Sequence, residues 1–217
     1  MSHALQVALE ELGRDLLRMG TLVEDSIGRA IAALKGRDVP AAEAVIADDD
    51  RVDRMEHEIE ARCLNLLALQ QPLGSDLRRV GTALKIITDL ERMGDHAVDI
   101  AKVVVRLGGQ PLMKPLIDIP RMAEVGQTML REALTAYVDE DKELALSMIQ
   151  RDHEVDHLYG QIFRELLTYM MEDPRTVTQG LYLVFVAMYL ERVADHATNL
   201  GEWVLYMLTG ERKELND

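Results

Sequence analysis

Leu90-Glu91-Arg92-Met93-Gly94-Asp95-His96-Ala97 and Leu190-Glu191-Arg192-Val193-Ala194-Asp195-His196-Ala197 read almost alike. Outward from this pair the chain keeps repeating itself. Setting Val52-Asp53 against Val155-Asp156 also matches Ala30 with Ala133, Asp38 with Asp141, Ala42 with Ala145, Ile46 with Ile149 and Asp49 with Asp152. The two registers differ by three residues, and the difference falls where Gln70 to Ser75 is shortened to Met171 to Arg175. Both stretches have turn composition. A duplication whose length change sits in a turn predicts two copies of one structural unit.

The unit is helical. Leu, Ala, Val and Met dominate, aromatic residues make up 4% of the chain, and strand-forming residues are few. Gly36 to Pro40 breaks the first helical stretch, with Asp38 as the expected N-cap and Pro40 in the next first turn. Gln71 to Ser75 is the second break, with Ser75 as the expected cap. Gly108 to Pro120, rich in glycine and proline, reads as the connection between halves. Asp139-Glu140-Asp141 and Glu172-Asp173-Pro174 repeat the breaks, and Gly210 closes the last helix. Six segments of roughly 20–35 residues remain, ~30–50 Å each, and connections this short set neighbours antiparallel. The expected architecture is all-α, with two tandem homologous three-helix bundles over residues 1–109 and 121–217, joined by a linker at 110–120.

Carboxylates interrupt the apolar pattern. The third helix carries a seam at spacing 3, 4, 3, 4 through Leu77, Val80, Leu84, Ile87, Glu91, Gly94, Val98, Ala101 and Val105. Its copy runs Val177, Gly180, Val184, Ala187, Glu191, Ala194, Thr198, Gly201 and Leu205. Each seam thus holds a glutamate near its midpoint, and Asp95 or Asp195 lies beside it four residues on. Asp99 adds a further step in the first half, where the second has Asn199.

The second helix of each unit brings a partner set on the flank of its core stripe: Asp49, Asp53 and Glu56 in one, Asp152 and Asp156 in the other, with Tyr159 in place of Glu56. Antiparallel packing would set these pairs face to face. Acidic groups converging at a helix interface need raised pKa values, arginine partners or bound cations. Hard metal ions favour such oxygen donors. The competing reading is a solvated acidic face, or ion pairs with Arg92 and Arg192. His96 and His196 lie about 100° from their Asp neighbours, which favours packing or a role behind the ligands. Glu154-x-x-His157 is not duplicated, since Arg51-x-x-Arg54 replaces it. Cys63 reads as a small core residue.

The remaining composition narrows the function classes. The net charge is −14, from 38 acidic and 24 basic residues. That surface, with no basic stripe, argues against nucleic-acid binding and favours cations or basic partners. One cysteine forbids an internal disulfide and fits a reducing compartment. Polar residues reach Glu10-Glu11 before any apolar run forms, so we expect no signal peptide and a cytoplasmic location. The most apolar stretch, Leu181 to Leu190, is about half a membrane span, so no direct membrane insertion is expected. Apolar flanks at Val103 to Val105 and at Val204, Leu205, Met207 and Leu208 lead us to expect a homodimer.

With its Glu-x-x-x-Asp motif at Glu91–Asp95 and again at Glu191–Asp195, the sequence resembles the PhoU family over essentially its whole length. The resemblance implies two homologous three-helix bundles and a non-enzymatic negative regulator of phosphate transport and phosphate homeostasis. It also implies partners, a phosphate ABC transporter and a phosphate sensor histidine kinase, and multinuclear clusters of Fe, Zn, Mn or Mg. Carried onto this chain, the metal positions are Glu91, Asp95, Glu191 and Asp195, faced by Asp49, Asp53, Asp152 and Asp156, with Asp99 extending the first set. A di-iron-like enzyme and a metal-free helical interaction module stay open beside it.

Overall fold

The structure of the protein, a computed structural model, describes residues 3–212 and Leu215. Among these the fold is all-α. The first half holds α1 (His3–Gly36), α2 (Val39–Ala47), α3 (Asp50–Gln70) and α4 (Ser75–Leu107). The second holds α5 (Asp118–Asp139), α6 (Lys142–Leu146), α7 (Met148–Glu172) and α8 (Val177–Thr209), with a 3-10 turn at Pro174–Thr176 before α8. Each half is the expected three-helix unit, except that its middle helix is interrupted once.

The interruption has the same cause in both halves. The Asp48 N–H donates to the carbonyls of both Ala44 and Val45, at 3.1 and 3.2 Å, tightening the turn there. The Ser147 N–H does likewise with Glu143 and Leu144, and its hydroxyl also donates to the Leu144 carbonyl at 2.7 Å. These breaks fall just before Asp49 and a few residues before Asp152. The caps also repeat: Asp38 and Asp141 each accept a backbone N–H, from Ala41 and Leu144, at 3.0 Å. Ser75 is not the cap we expected. Gly74, at φ 58°, takes that position in a backbone conformation open to glycine, and Ser75 is the first helical residue. Helix α5 starts at Asp118, so Pro120 lies in its first turn rather than in the linker.

Helices α4 and α8 run antiparallel at the centre and tie the halves together. Arg78 Nε donates to the Met207 carbonyl at 3.0 Å and Thr82 Oγ1 to that of Trp203 at 3.4 Å. Helix α3 flanks α4, α7 flanks α8, and α1 and α5 pack on α4 and α8 and on each other. One apolar core runs through both halves, with Leu16, Ile27, Leu90, Met129, Leu190 and Val193 among its buried members. Truncating Leu90 or Leu190 to alanine would cost about 2–5 kcal/mol.

This packing explains two departures from expectation. Val103, Val104, Val204, Leu205 and Met207, whose apolar character pointed to a second copy, are buried inside the chain. Leu77 and Val177, placed in the seams, lie in the first turns of α4 and α8 and are exposed. The linker is pinned rather than free: the Gln179 amide donates to the Pro111 carbonyl at 3.0 Å and accepts from the Met113 N–H, while Lys114 pairs with Glu165.

Candidate functional site

Two acidic clusters form where α3 meets α4 and where α7 meets α8. The breaks before α3 and near the start of α7 bring Asp49 and Asp152 toward the motif carboxylates. In the first cluster, burial and then the neighbouring carboxylates of Asp53 and Asp95 push the Asp49 pKa up. Glu91 is raised by burial and by Asp95, with Glu56 and Asp53 adding repulsion. Glu56 is raised as well, burial again leading, so it belongs to the cluster although it was not among the expected ligands. Arg92 offsets part of the repulsion, with Nε 3.5 Å from Glu91 and Nη1 3.2 Å from Asp95. Asp99 pairs with Lys102 at 3.1 Å, and the same lysine's charge also acts on Asp49.

The second cluster has less cationic relief. Asp152 is raised by burial and by Asp156 and Asp195, while the Thr198 hydroxyl, donating to it at 3.0 Å, pulls the other way. Burial, followed by Asp195 and Asp156, raises Glu191, and burial and Asp156 raise Asp195. Arg192 forms no ion pair among the described residues. The Arg192 charge still pulls Glu191 and Asp195 down in part, so arginine offsets some of the repulsion in both clusters, by direct pairing only in the first.

Both donor sets are oxygen-only, half-buried and mutually repelling, which is the chemistry hard cations relieve. As the side chains stand, no three carboxylate, imidazole or thiol groups among the described residues close on a common point. Donor chemistry thus fits a metal, while the spacing is open.

Between the clusters lies an imidazole pair that the sequence duplicates but does not explain. His196 Nδ1 is 2.8 Å from Asp89 Oδ1, and the Asn199 amide reaches the same oxygen at 3.5 Å. The His96 ring stacks on Tyr189 at 5.8 Å and lies 5.7 Å from His196. Burial and the neighbouring His196 push the His96 pKa down. These rings pack α4 on α8, in line with the packing role expected. Asp89 was missed because it becomes a partner only where α4 and α8 cross. Glu154 accepts from Arg121 at 2.9 Å, so the lone Glu-x-x-His is not held as a ligand pair. Cys63 is buried, and burial pushes its thiol up to about 12, which makes it inert.

No helix among the described residues is long and apolar enough to cross a membrane. The PhoU domain model matches this chain twice, at residues 16–104 and 119–204. A phosphate-specific transport system accessory protein PhoU homolog from Clostridium acetobutylicum is 44% identical over 96% of this chain and 96% of its own length. One of the same description from Aquifex aeolicus is 41% identical over 94% of the chain and 92% of its own length. The crystal structure of PhoU from Pseudomonas aeruginosa superposes with a TM-score of 0.88 at 38% identity, covering 95% of this chain and 99% of that one. The phosphate transport system regulatory protein PhoU from Streptococcus pneumoniae gives a TM-score of 0.88 at 31% identity, covering 96% and 99%. The matched segments coincide with the two repeats, each carrying one acidic cluster. The chain belongs to the PhoU family.

Proposed function

We propose that this protein is a non-catalytic accessory protein of a phosphate-specific transport system. In this reading it restrains phosphate uptake and phosphate-starvation signalling through contacts with the phosphate ABC transporter and its sensor histidine kinase. The observation that carries the reading is full-length similarity to relatives named for that system, at 44% identity for one of them. Deleting the gene should derepress phosphate-starvation genes under phosphate-replete growth, read by a reporter fusion. Unchanged expression in the deletion strain would overturn the reading.

The finer part of the proposal concerns metal. Asp49, Asp53, Glu91 and Asp95 would hold ions in the first repeat, with Glu56 at hand. Asp152, Asp156, Glu191 and Asp195 would hold them in the second. What bound cations supply is positive charge between carboxylates that otherwise repel, fixing α3 against α4 and α7 against α8. Support comes from carboxylates raised by burial and by one another in both halves, despite the arginine beside each motif. Metal titration by calorimetry into chelated, dialysed protein should give saturable binding that Glu191→Gln weakens; binding no tighter in wild type than in Glu91→Gln/Glu191→Gln would remove this part.

A further inference from the structure

Each repeat ties its first helix to its middle helix through charges, and the register that sets Val52 against Val155 shows one place where the tie fails. Arg29 pairs with Asp48 at 2.7 Å, and the equivalent Glu132 and Arg151, with signs exchanged, pair at 2.5 Å. Glu11 pairs with Arg62 at 3.4 Å, and the equivalent Lys114 and Glu165 pair with signs exchanged again. At the third place the second repeat pairs Arg121 with Glu154 at 2.9 Å. The first repeat has Arg18 and Arg51 there, two cations.

These two arginines line one cavity of about 270 Å³ between α1 and α3, together with Arg54, Arg62, Asp15 and Glu58. Asp15 is taken up by Arg62 at 3.1 Å and reaches Arg18 only at 3.9 Å. Arg51 and Arg54 form no ion pair among the described residues. With Arg62 held by Glu11 and Asp15, the guanidinium groups of Arg18, Arg51 and Arg54 are left facing Glu58.

The acidic cluster of this repeat lies on the other side of α3. Val52, Ile59 and Cys63 form the buried stripe of that helix. At 100° per residue, Asp49, Asp53 and Glu56 fall on one flank of the stripe and Arg51, Arg54 and Arg62 on the other. The cations acting on the raised carboxylates of the cluster are Lys102, Arg92 and His57, not the arginines of the cavity.

Guanidinium groups gathered in a concave site without matching counter-charge select an oxyanion, because each planar fork donates two N–H bonds to neighbouring oxygens. Arg18 comes from α1, and Arg51 and Arg54 come from α3, so the donors converge from two sides. A carboxylate offers its oxygens in one plane. A phosphoryl group offers three in a tetrahedral array and carries nearly two charges, enough to meet donors from both helices and to outweigh Glu58.

We infer that the α1–α3 cavity is an oxyanion site that takes a phosphoryl group, free or as a monoester, on Arg18, Arg51 and Arg54. The site belongs to the first repeat alone, since Glu154 stands in the place of Arg51 in the second and pairs there. It does not rest on the proposed function, and either can fail without the other.

Calorimetric titration of the full chain with inorganic phosphate and, separately, with glycerol phosphate tests the site, with acetate at matched ionic strength as the planar control. One or both phosphate compounds should bind saturably, and the stronger of the two tells free phosphate from a monoester; acetate should not bind. Arg51→Glu installs the second repeat's residue and gives Arg18 an ion-pair partner. Its Tm should be unchanged or raised, while phosphate binding falls at least about tenfold. Arg18→Gln, on the other helix, should weaken binding as well. No saturable binding of either phosphate compound overturns the inference. So does acetate binding as tightly, or binding that either variant retains in full, which would put the phosphate elsewhere on the chain or on metal held by the acidic clusters.

Discussion

Glu191 and Glu91 occupy matching positions but have different neighbours. Glu91 has the Arg92 guanidinium at 3.5 Å, whereas Glu191 has no ion-pair partner among the described residues. Replacing either with glutamine keeps the shape and removes one repelling charge. In chelated protein at neutral pH, Glu191→Gln should therefore raise Tm, by up to about 2–4 °C, and by more than Glu91→Gln. Differential scanning fluorimetry checks the order. The pH response follows from the same groups. Asp49, Asp152, Glu191 and Asp195 have raised pKa values, so the folded state holds their protons at pH values where the unfolded state has released them. Their contribution to stability therefore grows as pH falls from neutral toward the carboxylate range and is lost as pH rises through the raised values. His96, lowered by burial, opposes this below its ordinary value of 6.5. Comparing Tm against pH for chelated wild type and Glu91→Gln/Glu191→Gln isolates the carboxylates, and the double variant should have the flatter carboxylate slope. The motif acids were legible in the sequence because a glutamate interrupts an apolar seam twice in one register. The Asp89–His196 pair was not, because it forms between helices far apart in the chain and no local spacing announces it.

At the scale of elements, the aspartate caps and the main turns were readable, while the Gly74 cap of α4 and the interruptions within the middle helices were not. Asp38 and Asp141 announce helix starts through a side chain that accepts a local N–H. The interruptions after Ala47 and Leu146 each depend on one N–H, of Asp48 or Ser147, divided between two carbonyls, and no glycine or proline at either place announces a break. Glycines in α4 and α8 show how tertiary contact decides cost. A Cβ on Gly201 would lie 2.9 Å from Met148 Cγ and 3.1 Å from the Ala145 carbonyl oxygen. At Gly81 it would meet nothing within 4 Å. Gly201→Ala should destabilise by about 1–3 kcal/mol, forcing α8 off the α6–α7 junction. Gly81→Ala should stabilise by about 0.4–1 kcal/mol through chain entropy. Urea unfolding of both variants tests the pair, and equal effects of one sign would contradict the packing described.

Across the whole molecule, α4 and α8 join two repeats into one core, which absorbs the apolar flanks that had suggested a second copy. The sequence's duplication made the architecture legible, but not which faces the repeats turn toward each other, since that depends on shape complementarity between surfaces that look alike in composition. The proposal that each repeat holds its own oxygen-donor metal site is tested most directly by elemental analysis of protein purified without chelator. Wild type should retain metal, Glu91→Gln should lose the ions of the first repeat alone, and Glu191→Gln those of the second alone. Metal-free wild type whose Tm is unmoved by chelator, with both variants at least as stable, would contradict it.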